Sequence, residues 1–248
     1  DGTKRDTVTL SVVPRLATAW TATRLGGVLR DDLLSIYAVS ATDVFAIDIL
    51  GDIYRWNGTT WTLSLSNSAD YLALHGSSAT NIIAVGTAGA VARWNGTAWS
   101  TMPSGTTQTL NAIWVESQTV AWAAGNNSTV LRLATNTWST ETTNSTQTMN
   151  GVWGGDNVVY AVGANGDVLR RVGSTWSRVM VPSAELLYSV HGLSATDVVI
   201  VGANGTLLRW NGTTWSVLSV GGLAGNLYQV SGSAANGGRR YVVGDGGV

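Results

Sequence analysis

The chain is poor in residues that could carry out covalent or proton-transfer chemistry. Of its 248 residues two are histidine, His75 and His191, three are glutamate, Glu116, Glu141 and Glu185, and none is cysteine. The lack of cysteine removes thiolate nucleophiles, thiolate metal sites and disulfides together. A hydrolase acting on sugars needs two carboxyls roughly 5–10 Å apart, and Glu116 with Asp156 is the one pair that the spacing places near a common mouth. No strand-associated Gly-x-Gly-x-x-Gly, phosphate-binding loop, His-Glu-x-x-His helix or Gly-x-Ser-x-Gly elbow occurs. Catalytic residues, a cofactor and a bound metal are therefore not expected.

Binding chemistry is better represented, because the chain holds 12 tryptophans. Tyr37, His75, Trp114, Trp153, His191 and Ser231 occupy one place in a recurring pattern, a place whose residue type changes while its surroundings stay constant. Rings with a polar edge suit a surface that is apolar in the middle and wet at the rim. The six are expected either to close a channel or to offer a stacking surface to a sugar or a partner's side chain. A second group is Trp56, Trp94 and Trp210, each preceded by an arginine (Arg55, Arg93, Arg209) and followed by Asn-Gly. It is expected between repeats, as packing or as an inter-repeat ligand pocket.

These residues must be positioned by a repeated element. A tryptophan following a short turn recurs at Trp20, Trp61, Trp99, Trp138, Trp176 and Trp215, at intervals of 41, 38, 39, 38 and 39 residues. The best-matched copies read RWNGTTW at 55–61, RWNGTAW at 93–99 and RWNGTTW at 209–215, and upstream of each stands SATDVFAID, SATNIIAVG or SATDVVIVG. Each unit holds four short β signals: an apolar strand leading into Ser-Ala-Thr, a Val/Ile-rich strand ending in Gly, a strand ending in Asn-Gly, and a strand starting at the tryptophan. Asn-Gly is a strong hairpin signal because both residues tolerate positive φ. Four strands per unit of about 39 residues is the signature of a β-propeller, and no apolar stripe of helical period competes with it.

The ends supply a check. Residues 227–248 match only the first half of a unit, and 11–20 match only the second half, aligning without a gap on 206–215. The expected fold is thus an all-β, six-bladed propeller of four-stranded antiparallel blades in a single domain, 1–248. Its blades fall near 31–69, 70–108, 109–147, 148–185, 186–225, and 226–248 together with 11–30; residues 1–10 form a tail. Closing the ring with both termini avoids leaving an unpaired strand edge. On a hexagon of blades about 10 Å apart, the positions of His75 and His191 stand opposite one another at about 20 Å, and the imidazoles reaching inward still leave a gap several times the ~2 Å Zn–N bond, too far to share a zinc ion. Each is expected to bond a loop carbonyl or a ligand edge.

Charged residues make up 12% of the chain, 14 basic against 15 acidic, for a net charge of −1. That balance offers no electrostatic footprint for nucleic acid or an anionic membrane. No apolar run reaches the ~18 residues of a membrane span, and DGTKRDTVTL lacks a signal-peptide core. The low-charge Ser/Thr/Asn/Gly composition suggests an extracellular or cell-surface setting.

The Ser-Ser-Ala-Thr-Asp-Val, Val-Gly and Asn-Gly-Thr-Thr-Trp pieces resemble the propellers of bacterial secreted proteins built from degenerate Asp-box repeats. They are also similar to photosystem II assembly-factor-like and lectin-type propellers. The resemblance spans 11–248, and departs from the Asp-box pattern where Asn57, Asn95 and Asn211 replace the usual Asp. It implies the fold, and functions ranging from lectin to protein scaffold to glycosidase. A sialidase-like enzyme would need an arginine cluster, a Tyr–Glu pair and an acid at the channel mouth, which the three glutamates supply poorly. The expected function is a non-enzymatic binding module for a glycan or a protein partner, with a structural or assembly scaffold as the alternative and a glycosidase third.

Overall fold

The computed structural model describes residues 32–66, 69–219, 224–233 and 237–245. They form six antiparallel sheets in chain order. The first comprises β1 (Leu33–Ser40), β2 (Asp43–Asp48), β3 (Ile53–Trp56) and β4 (Trp61–Leu65). The second comprises β5 (Tyr71–Ser78), β6 (Asn81–Gly86), β7 (Val91–Trp94) and β8 (Trp99–Thr101), and the third β9 (Leu110–Val115), β10 (Val120–Gly125), β11 (Val130–Ala134) and β12 (Thr137–Thr140). The fourth is β13 (Met149–Gly155), β14 (Val158–Gly163), β15 (Val168–Val172) and β16 (Thr175–Arg178). The fifth is β17 (Leu187–Ser194), β18 (Asp197–Gly202), β19 (Leu207–Trp210) and β20 (Trp215–Val217), and the sixth has two strands, β21 (Leu227–Ser233) and β22 (Arg239–Gly244). The expected pairing of Val12–Val13 with Tyr241–Gly244 falls outside the described residues.

The first strand of each sheet packs on the first strand of the next, from β1 through β21, so these six line the centre. The apolar core is divided among the seams. Five clusters each draw on two neighbouring sheets, such as Phe45 and Ile47 with Tyr71 and Trp94, or Tyr160 and Val162 with Leu187 and Ile200. That division explains the second strands: β6 and β14 are buried along their whole length because both of their faces meet a neighbour.

Two pieces of the repeat are legible as close approaches. The glycine ending the second strand lies against the residue that precedes the first strand of its own sheet. A Cβ on Gly86, Gly125, Gly163, Gly202 or Gly244 would come within 2.3 Å or less of that residue's carbonyl oxygen. The following N–H donates to the same oxygen, as from Thr87 to Asp70 and from Ala164 to Thr148. Similarly, the Gly of each Asn-Gly-Thr turn sits on the Thr of the Ser-Ala-Thr piece: a Cβ on Gly58, Gly96 or Gly212 would lie 2.9, 2.8 or 3.0 Å from Thr42, Thr80 or Thr196. This contact accounts for the two pieces recurring together.

The Asn-Gly turns differ from expectation. Only their glycines take positive φ, 95°, 102° and 93°. Asn57, Asn95 and Asn211 instead turn Oδ1 back to accept from the N–H groups two and three residues on, at 2.8–2.9 Å, an Asx turn. The paired positive φ of a type I′ hairpin appears one turn earlier, at Asn165–Gly166 and Asn204–Gly205.

Candidate functional site

The variable column is the fifth residue of each innermost strand: Tyr37, His75, Trp114, Trp153, His191 and Ser231. It stands three residues before the end of β1, β5 and β17 and one or two before the end of β9, β13 and β21. In register, the five from Tyr37 to His191 each pair with a second-strand residue and then with the repeated arginine, as in Tyr37–Phe45–Arg55 and Trp114–Trp122–Arg132, while Ser231 pairs with Tyr241. Directly paired residues share a face of a sheet, so column and arginines point toward the next blade.

The column side chains fill the centre. His75 stacks on Trp114 with centroids 4.3 Å apart, Tyr37 lies 5.2 Å from His75, and Trp114, Trp153 and His191 meet one another at 6.0–6.3 Å. From Tyr37 to Trp153, each ring leans over the residue after the column position of the following blade. A Cβ on Gly76 would lie 2.7 Å from Tyr37, and one on Gly192 would lie 2.4 Å from Trp153. In the third blade that residue is Val115, whose N–H donates to His75 Nδ1 at 3.0 Å. The glycines following the column at Gly76 and Gly192 are a signal that sequence reasoning missed: a bare backbone there makes room for an aromatic ring from the preceding blade.

Trp114 touches His75 at 4.3 Å and His191 at 6.2 Å, so the two imidazoles are separated by no more than those distances combined, well inside the ~20 Å between opposite blade positions because both reach inward. His75 Nδ1 accepts the Val115 strand N–H. Burial lowers His75 from the ordinary 6.5 to about 4, with His191 nearby adding to the fall. His191 is likewise lowered to about 4 by burial and then by Arg240. Burial also pushes the Tyr37 phenol up. Both imidazoles are therefore neutral at pH 7. Trp114 Nε1 and His191 Nδ1 are buried without a hydrogen-bond partner among the described residues.

A second ring lies nearer the start of the same strands. Five of the six strands carry a bulge at their second residue, Leu34, Leu72, Asn150, Tyr188 and Tyr228, and β9 skips Asn111 against β10 in the same way. A bulge re-aims a side chain. Asn111 and Asn150 use it to donate Nδ2 to the carbonyls of Met149 and Leu187 in the next blade, both at 3.0 Å. Leu34 and Tyr228 are exposed. Alternation arguments on the sequence miss such a ring, because the extra residue shifts the phase.

The inter-blade group is packed more tightly than its sequence suggests. Trp94 is buried, donates Nε1 to the Ala79 carbonyl at 3.1 Å, and sits with Trp99 against Phe45 of the preceding blade. Trp56 and Trp210 are half-buried against Trp61 and Trp215, at 5.8 and 5.7 Å. Of the two expected roles, packing is the one these contacts describe, each tryptophan meeting the repeat-position tryptophan of its own blade. Arg55 bonds Asp43 through Nε at 2.7 Å and Arg209 bonds Asp197 at 3.1 Å. Arg93 finds Asn81, Asn136 and the Gln118 carbonyl instead.

The carboxylate pair is engaged elsewhere: Glu116 accepts from Trp122 Nε1 at 3.5 Å, and Asp156 accepts from the Ala195 N–H at 2.9 Å. Among the described residues, no group of three or more His, Asp or Glu side chains is arranged to hold a metal.

No family model and no curated protein matches the sequence. Solved structures do match in shape. YCF48 bound to a D1 peptide superposes with a TM-score of 0.69 at 12% identity, covering 86% of this chain and 74% of that one. The WD40 repeats of RRP9 give 0.69 at 11% identity, covering 84% of this chain and 72% of that one. An ancestral GH74 enzyme gives 0.67 at 16% identity, covering 84% of this chain and 34% of the enzyme. At such identities the likeness establishes the propeller-like all-β fold.

Proposed function

We propose that the protein is a non-enzymatic propeller scaffold that binds another protein, as a single six-bladed domain whose last blade is completed by residues 11–30 of its own chain. The observation that carries this reading is the filled centre: the column from Tyr37 to His191 packs ring against ring, and the inter-blade tryptophans are capped by their neighbours. Among the described residues, the grooves beside Met102 and beside Arg93 are open rather than deep and convergent like the pockets that enzymes present, which suits a protein surface. The proposed contact surface is the rim bearing the bulged ring, with Tyr37, His191 and Ser231 beneath it and the aromatic column as its rigid support. Support for a peptide or protein partner comes from the YCF48 neighbour, which was solved with a D1 peptide. A glycan partner gains none from the neighbours.

The test is to probe the folded chain against a random-peptide array and a glycan array in parallel. Reproducible peptide hits with a blank glycan array are expected. A defined glycan specificity with no peptide hit overturns the reading.

A further inference from the structure

The repeated arginines allow the blades to be compared at one position. Arg55 is neutralised by Asp43 and lies 5.2 Å from the ring centres of Phe45 and Trp94. Arg209 is neutralised by Asp197. Arg132 and Arg170 lie over Trp122 and Tyr160, at 5.5 and 5.9 Å. Arg93 has neither kind of partner. Asn81 stands where Asp43 and Asp197 stand, Ile83 is directly opposite it in the sheet, and Leu133 holds the place that Trp94 holds beside Arg55. Among the described residues no carboxylate lies within ion-pair distance of Arg93.

The substitution at 81 has a structural cause. Asn81 donates Nδ2 to the Ser117 carbonyl of the third blade at 3.0 Å and to Ser77 Oγ at 2.7 Å; a carboxylate could do neither. The consequence is an uncompensated cation. Arg93 gives Nε to Asn81 Oδ1 at 2.9 Å, one terminal nitrogen to Asn136 Oδ1 at 2.7 Å and the other to the Gln118 carbonyl at 2.6 Å. All three acceptors are neutral. A guanidinium has five N–H donors, so each terminal nitrogen keeps one unspent. The group is half-buried in a groove of 390 Å³ between the second and third blades, lined by Thr80, Arg93, Asn95, Gln118, Thr119 and Asn136.

We infer that this groove is a carboxylate-binding site, in which a ligand carboxylate takes the place that Asp43 and Asp197 take in their own blades. The three neutral bonds fix the guanidinium across the seam before the ligand arrives. That removes much of the ordering cost which makes most exposed ion pairs weak, while Asn95, Thr80 and Thr119 supply polar contacts at the sides. The carboxylate could belong to a free small acid or to an acidic residue of a partner. The site itself does not depend on the protein-binding reading above.

The test follows the Arg93 Nε–H resonance and the backbone amides of Thr119 and Asn136 in the folded chain, with sodium acetate replacing chloride at constant ionic strength. A second arm uses the capped peptide Ac-Gly-Glu-Gly-Asp-Gly-NH2. Acetate should give a concentration-dependent shift at these signals that falls at least fivefold in N81D, whose new carboxylate neutralises Arg93 from within. Because N81D sets that carboxylate against the Ser117 carbonyl, R93Q serves as the second variant and should silence the Thr119 and Asn136 shifts with an unchanged melting temperature. A peptide response at concentrations tenfold below acetate assigns the carboxylate to a protein segment; equal responses assign it to a free acid. Shifts no larger than chloride gives, or undiminished shifts in R93Q, overturn the site.

Discussion

His75 and His191 differ by one bond. The Nδ1 of His75 satisfies the Val115 N–H, whereas that of His191 is buried without a partner among the described residues. Both are held neutral, lowered from 6.5 to about 4. The unfolded chain therefore takes up two protons near pH 6.5 that the folded chain refuses until about pH 4. The stabilisation is fully present above pH 6.5 and is lost as the pH falls toward 4, at up to about 1.4 kcal/mol per pH unit for each histidine. Denaturant melts between pH 7.5 and 4.5 should show this decline, with His191→Phe close to neutral in stability at pH 7.5 and about half as acid-sensitive as the parent. His75→Phe should lose about 1–3 kcal/mol even at pH 7.5, because it leaves the Val115 N–H without an acceptor. A double variant that melts with the parent's full acid slope would show that the column does not bury these imidazoles as described.

At the scale of the element, the repeat was legible because its constant residues answer to backbone geometry. The Val-Gly ending of the second strand recurs because the glycine meets a carbonyl at van der Waals overlap for any Cβ; at Gly163 that distance would be 1.9 Å. Gly163→Ala should therefore cost several kcal/mol or prevent folding, whereas Gly154→Ala, whose Cβ would meet Trp114 at an ordinary 3.4 Å, should cost about 1 kcal/mol or less; comparable losses in the two, measured by urea melts, would contradict the close approach. Other features were hidden for physical reasons. The bulge at Leu34, Leu72, Asn150, Tyr188 and Tyr228 breaks the two-residue period on which strand faces are read. The filling of the centre by Trp114, Trp153 and the histidines depends on side-chain reach, which spacing along the chain does not carry. The column itself was found from its variability; its depth in the channel and its packing were not. The uncompensated Arg93 becomes visible only when Asn81 is set beside Asp43 and Asp197 in three dimensions.

For the whole molecule, the sixth sheet matters most. It has two strands among the described residues, and Tyr241 and Val243 of β22 are exposed, as are Leu33 and Ile36 of β1. In a propeller these would be the two sides of one seam, with a free strand edge that invites pairing. The pairing in the fifth blade, where Val201 faces Leu207 and Ile200 faces Leu208, transfers directly. On the gapless match of 11–20 to 206–215, the counterpart we propose would set Val243 against Val12 and Val242 against Val13. A ring closed in this way would hold its rim rigid, as a protein-binding scaffold requires. Because the chain has no cysteine of its own, V13C combined with V242C reports on this pairing without background. Cross-strand neighbours lie about 4.5–5.5 Å apart, within disulfide reach. Mild oxidation of the folded double variant should give one intramolecular disulfide in monomeric protein and a raised melting temperature. Free thiols that persist in the folded state, or a bond that forms only between chains, would contradict the closed six-bladed ring.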